Sequence, residues 1–154
     1  YDQFGIGKPD LPIAIDTARY APITEEQRTH ISWHQLGIHY ARLGMLPEAM
    51  AFLVKKMGNA GMRTPVFWGP GHDWTPDHNW GGSGMIQLQE MLLQTDGDLI
   101  YLLPCWDKTV DVTFRLHAPK NTVVACTYRD GKVASLHVTP VERQRDLILP
   151  GVSS

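Results

Sequence analysis

The chain has 154 residues, 43% of them hydrophobic and 19% charged, with a formal net charge of −2. This balance supports a buried core and excludes intrinsic disorder, and it gives no reason to expect a nucleic-acid partner, which wants a positive excess. No apolar run approaches the ~20 residues of a membrane-spanning helix, and the length fits one domain, or one and part of another.

The chain opens at Tyr1 with Asp-Gln-Phe-Gly-Ile-Gly and without a capped element, and is read as the tail piece of a longer polypeptide. Residues 1–23 hold Pro9, Pro12 and Pro22 with Gly5 and Gly7. An extended lead-in is expected there, with a short strand at Pro12–Ile15. A helix should follow from Thr24, its N-cap, with Gln27 completing a capping box and Glu25 and Glu26 in the positive first turn. Trp33, Leu36, Gly37, Tyr40 and Leu43 recur at three- and four-residue steps and form one apolar stripe; Gly44 ends it. Pro47 opens a second helix, where its missing N–H costs nothing, and Ala49, Phe52, Leu53 and Met57 form the stripe that Gly58 closes. Two amphipathic helices on so tight a link predict an antiparallel hairpin.

From Phe67 to Gly84 the chain carries Trp68, Trp74, Trp80, His72, His78, Asp73, Asp77 and Asn79 among five glycines and two prolines. Gly and Pro punctuate it so densely that a loop is expected. A third helix is placed from about Gly84 to Gln94, with Ser83 as cap, Met85, Leu88, Met91 and Leu92 facing the core, and Gly97 as its end.

Near Leu99 the pattern changes. Leu99–Leu103 is a short apolar run stopped by Pro104, which predicts a buried strand. From Val110 the period becomes two: Val110, Val112, Phe114 and Leu116 alternate with Asp111, Thr113, Arg115 and His117. Thr122–Tyr128 and Lys132–Val138 are the arms of a hairpin around Asp130-Gly131, a primed-turn signal, and Leu147–Leu149 is a candidate edge strand. The chain is therefore α+β, in three parts: the lead-in 1–23, helices over 24–104, and a small antiparallel β domain over 105–154 with one face packed and one wet.

The Trp-rich stretch is where chemistry is expected. Aromatic rings beside carboxylates suit a sugar site, since rings cover apolar sugar faces while polar groups address hydroxyls or move protons. Trp74 and Trp80 are candidate stacking platforms with His72 and His78 beside them; Asp77, next to Asn79, is the candidate acid–base carboxylate. The competing reading is structural: a helix-entry Asp satisfying loop N–H groups, and tryptophans plugging the gap beneath a helix, Trp68 above all. His72, Asp73, Asp77 and His78 are all legal metal ligands, but their spacing fits no standard motif, so neither a metal nor another cofactor is expected. His30, His34 and His39 read as polar-face or core residues of their helix. Cys105 and Cys126 permit at most one disulfide and do not fix the compartment; Cys105 reads as packing. Lys55-Lys56 and Arg143–Arg145 read as solvated charge.

The segment Trp74-Thr-Pro-Asp77-His-Asn79-Trp80-Gly-Gly-Ser83, followed by Gln89-Glu90-Met91-Leu92-Leu93-Gln94 and Ile100-Tyr-Leu-Leu-Pro104, resembles the C-terminal part of the six-hairpin glycosidases. The likeness is to the inverting α-L-fucosidase/α-L-galactosidase family. It covers roughly residues 30–140 and is specific over 74–104. That family carries an aromatic, a spacer pair, Asp-Gly-Asn, an aromatic and two glycines, then a helix ending Glu-Met-Leu-Leu-Gln. The resemblance implies that the helices are a slice of an (α/α)6 barrel and that the β region is the small sandwich-like domain placed after it. It also implies a carbohydrate substrate and a periplasmic or extracellular location. The family's general base falls on Asp77 and its assisting asparagine on Asn79. Two positions depart, His78 for Gly and Pro76 for an aliphatic residue. The family's general acid is a Glu in upstream barrel helices, and inversion needs two carboxylates ~6.5–9.5 Å apart. Two readings follow: a glycoside hydrolase fragment carrying the base alone and inactive by itself, or a non-catalytic carbohydrate-binding or structural module. Either leaves helix stripes that an upstream barrel or a second chain would cover.

Overall fold

The computed structural model describes residues 4–22, 34–58 and 78–149. The chain is α+β and divides into two compact units, residues 1–91 and 92–154.

The first unit is helical. In it α1 spans Leu11–Tyr20, α2 Leu36–Arg42, α3 Leu46–Met57, and α4 His78–Leu92, which runs to the division between the units. The lead-in is thus not simply extended: Pro12, expected to begin a strand, occupies the first helical turn of α1, where a fixed φ and a missing N–H cost nothing. The proposed Thr24 cap and the start of its helix lie outside the described residues. From Leu36 the predicted stripe holds, with Gly37 and Tyr40 buried. Gly44, at φ +70, takes the left-handed conformation after α2 and keeps the link to α3 short.

Contacts along the helices give their directions. The ammonium of Lys56, late in α3, donates to the His34 carbonyl just before α2, at 2.8 Å, while the far ends of α2 and α3 are joined by the short link. The two are therefore antiparallel, as the sequence predicts, with Tyr40 and Phe52 meeting edge-to-face at 5.7 Å. Helix α4 crosses back over α3. Its Trp80 bonds to Lys56 near the end of α3, and its Gln87 bonds to Ala49 near the start. Glu90 reaches Arg42 at the end of α2, Nε to Oε2 2.9 Å.

Helix α4 begins six residues before the predicted Gly84 (His78 against Gly84), and Ser83 lies inside it rather than capping it. The Ser83 hydroxyl bonds back to the carbonyls of Asn79 and Trp80 at 2.6 and 3.0 Å, a common use of a mid-helix serine. The glycine that reads as loop punctuation serves helix contact instead: a Cβ on Gly84 would meet Met57 Sδ at 2.9 Å. Met85, expected in the core, is 49% exposed, and Gln87 at 1% takes the buried position. The helix also ends sooner. Leu93–Asp96 is strand β1, and Gly97, at φ +57, turns it into β2 rather than ending a helix.

The second unit holds β1 with β2 (Leu99–Leu102), β3 (Val112–Ala118), β4 (Thr122–Arg129), β5 (Lys132–Thr139), a 3₁₀ turn at Val141–Asp146, and β6 (Leu147–Ile148). The hairpin β1–β2 thus belongs to the sheet unit, although its residues read as part of the helical region. One sheet has the order β1-β2-β6, with β6 a parallel edge strand; the other is the antiparallel meander β3-β4-β5. The predicted alternation holds on β3, where Val112, Phe114 and Leu116 are half-buried and Thr113, Arg115 and His117 exposed. They pair with the buried Tyr128, Cys126 and Val124 of β4. A register shift at Thr127/Tyr128 lets Val133 and Leu136, three residues apart on β5, share one face. Leu93, Ile100 and Leu102 from one sheet and Val124, Cys126 and Val138 from the other form a single buried cluster. The hairpin turn Asp130-Gly131 has both φ values positive, 51° and 73°, as its sequence demands.

Two charged residues read as solvated are buried. Lys56 is 1% exposed and Arg143 8%. Arg143 donates from Nε to Thr122 Oγ1 at 3.1 Å, from Nη2 to the Asp98 carbonyl at 3.2 Å, and from Nη1 to the Asp146 carboxylate. One guanidinium, with donors in a fixed fork, thereby ties the 3₁₀ turn to β4 and to the β1–β2 turn.

Candidate functional site

Of the candidate residues, His72, Trp74 and Asp77 lie outside the described residues, as do Trp68 and Asp73. Asp77 directly precedes His78, the first residue of α4. The structure therefore bears on the site through the helix that begins there. The helix is held by its first turn: Trp80 is 4% exposed, and its indole Nε1–H donates to the Lys56 carbonyl at 2.7 Å. That carbonyl belongs to the last turn of α3, where helix geometry leaves carbonyls without an intrahelical partner. An indole supplies one, with a large apolar ring to fill the space between the helices. Trp80 is thus packed within the helical unit rather than offering a ring face to solvent. Asn79, its neighbour, is exposed.

Further along α4, Gln87 is enclosed at 1% exposure, and its Nε2 donates to the Ala49 carbonyl at 2.6 Å. A Cβ on Gly37 of α2 would lie 2.0 Å from Gln87 Oε1, so only glycine leaves room for that amide. Sequence periodicity missed Lys56 and Gln87, because both residue types are normally solvated. A signal existed for the pair of glycines: Gly37 and Gly84 each fall within helical stretches, where glycine often marks close approach.

Glu90 is the acidic residue of α4. Burial raises its carboxyl above the ordinary value, and the Arg42 guanidinium opposes this. A raised carboxyl is what a general acid needs, but the helix places it out of reach. Twelve residues separate it from His78, a rise of about 18 Å at ~1.5 Å per residue, about twice the ~6.5–9.5 Å of an inverting pair. Among the described residues no group of three or more His, Cys, Asp or Glu side chains is placed to hold a metal ion. Cys105 and Cys126 are both buried and neither is in a disulfide; burial raises the Cys126 thiol.

Among the clefts lined by described residues are these two. One, of about 570 Å³, lies between α1 and α2 and is lined mainly by apolar groups, Ile13, Ala14, Leu36 and Leu43 among them, with Arg42 at its wall. The other, of about 280 Å³, lies in the sheet unit. Neither Asn79 nor Trp80 lines either one. No helix among the described residues is long and apolar enough to cross a membrane. In comparisons with protein-family models, curated proteins and solved structures, none matches the chain.

Proposed function

We propose that the chain is the C-terminal part of a glycoside hydrolase that acts by inversion on fucoside- or galactoside-like substrates, outside the cytoplasm. In this reading Asp77 is the general base that takes a proton from the attacking water, Asn79 fixes that water's direction, and Trp74, His72 and His78 contact the sugar. The reading rests on the run Trp74–Ser83, in which Asp77 precedes α4 by one residue. What favours it in the fold is the anchoring of α4 on α3 through Trp80 and Lys56. A base positioned to within a fraction of an ångström needs a rigid support, and an indole locked onto a helix end is one.

The helices would then be a slice of an (α/α)6 barrel, and the sheet unit the domain that follows it. Exposed apolar groups support that placement. Ile13 is 62% exposed, Val54 66%, Met85 49% and Ile86 48%. Such residues on amphipathic helices are covered when further helices pack on them, either upstream in the same polypeptide or in a second copy. The acid of the pair would come from that missing surface, since Glu90 is too distant. The chain alone should therefore bind sugar weakly and turn nothing over.

The test is hydrolysis of aryl α-L-fucosides and α-L-galactosides by the longer polypeptide, with and without Asp77→Asn. Loss of a general base costs roughly 10²–10⁴-fold in rate. A variant as active as the wild type would remove Asp77 from the mechanism. Saturable sugar binding by the 154-residue chain alone, lost on changing Trp74, would instead favour a non-catalytic carbohydrate-binding module.

A further inference from the structure

The sheet unit holds a cleft of about 280 Å³. Its walls include Leu103, Trp106, Tyr128 and Val133, with Lys108 and Lys132 also on its lining. Trp106 is locked by its Nε1–H, which donates to the Val110 carbonyl at 2.9 Å. The Tyr128 hydroxyl reaches the Lys108 carbonyl at 3.4 Å, and a Cβ on Gly131 would lie 4.0 Å from that same oxygen. Trp106 thus closes the segment 106–110 on itself, and Tyr128 ties that segment to the end of β4 beside the Asp130-Gly131 turn. Leu103, on the wall, sits at φ +55, a conformation that a bulky side chain rarely adopts. Strain of this kind concentrates where a fold holds a binding surface in place.

The charged residues on the described lining are both lysines. Lys108 and Lys132 form no ion pair among the described residues, and no carboxylate is on the described lining. Asp107, Asp111 and Asp130 border the cleft in the chain but are not on its lining; Asp107 accepts from the Thr109 N–H and hydroxyl, and Asp111 accepts from the Asp130 N–H. The volume is just under the ~300 Å³ at which ligand clefts commonly begin, so it takes one ring and not a chain.

We propose that this cleft binds a single carboxylate-bearing sugar ring, a hexuronate, with an apolar face of the ring against Trp106 and the carboxylate between Lys108 and Lys132. The choice of a sugar as carrier of the carboxylate rests on the carbohydrate reading above; the cleft and its charge do not. The test is titration of the ¹⁵N-labelled chain with glucuronate, its methyl ester, glucose and benzoate, followed through amide and indole resonances. Glucuronate should shift the Trp106 indole N–H and the Gly131 and Lys132 amides saturably. The neutral ester should bind roughly five-fold more weakly, the size expected of two exposed ion pairs, and added salt should narrow that difference. The double variant Lys108→Met/Lys132→Met, in which both changed side chains are exposed, should fold as before and bind acid and ester alike. No saturable shift at these residues, equal affinity for acid and ester, or binding of benzoate without glucuronate would each overturn the proposal. None of these outcomes depends on Asp77, so hydrolysis remains a separate question.

Discussion

The indole of Trp80 and the backbone carbonyl of Lys56 are joined at 2.7 Å, so the first turn of α4 is fastened to the last turn of α3. Both groups are enclosed, since Trp80 is 4% exposed and Lys56 1%. Trp80→Phe keeps most of the ring but removes the donor, and a buried acceptor left alone costs about 1–3 kcal/mol. Urea unfolding of the variant should show that loss. A midpoint equal to the wild type's would mean that water replaces the indole.

Gly37 and Gly84 separate two kinds of close approach. Alanine at 37 would drive into the Gln87 amide, 2.0 Å away, and Gln87 cannot retreat without giving up its bond to Ala49. Gly37→Ala should destabilise by about 1–3 kcal/mol through that bond. Alanine at 84 meets the Met57 thioether at 2.9 Å, on a flexible and half-buried side chain that can move aside. Its gain in helix propensity over glycine, about 1 kcal/mol, should leave Gly84→Ala neutral or stabilised. Thermal melts of the two variants in parallel check the contrast.

These contacts also mark where the sequence is legible. Period-two alternation and the Asp130-Gly131 turn identify β3, β4 and β5 correctly, because each signal is local and the strand face it encodes is the one buried. The α3 stripe is legible for the same reason. The first turns of α4 are hidden because glycine is both the usual breaker of helices and the residue that lets them touch. Leu93–Asp96 is mistaken for helix because Met91-Leu92-Leu93 is apolar without period, and only pairing with β2 decides it. Lys56 and Arg143 read as surface because their burial depends on acceptors distant in sequence, His34 for the one and Thr122 and Asp98 for the other. For the candidate site, the sequence supplies residue types and order; the structure adds the support under α4.

Arg143 tests the sheet unit in the same way. Removing one partner of a buried charged pair costs about 3–5 kcal/mol, because the other charge stays behind. Arg143→Met should lower the stability of that unit by less than this, about 1–3 kcal/mol, since Thr122 and the Asp98 carbonyl lose a donor while Asp146 keeps Arg145 at 3.7 Å. Hydrogen exchange of the β4 and β5 amides measures it, with accelerated exchange expected and wild-type protection the contrary result.

Glu90 makes a prediction about pH. Its folded-state carboxyl is raised by burial, with Arg42 acting in the opposite sense, so the folded chain holds the proton more tightly than the unfolded one. Its contribution is therefore fully present below the ordinary carboxylate value and is lost as pH rises through the raised one. Relative to Glu90→Gln, the wild type should lose stability as pH rises above the ordinary carboxylate value. Urea midpoints for both chains across that range measure it; a wild type that gains on the variant with rising pH would reverse the sign.

The anomeric configuration of the first product tests the central claim most directly. On the proposed reading, proton NMR of a polypeptide that joins this chain to an upstream barrel, acting on an aryl α-L-fucoside or α-L-galactoside, reads it before mutarotation. A general base at Asp77 that activates water predicts a β-configured sugar at first, and a rate roughly 10²–10⁴-fold lower from Asp77→Asn. An α-configured first product would require a carboxylate nucleophile and a covalent intermediate, and would contradict the role given to Asp77.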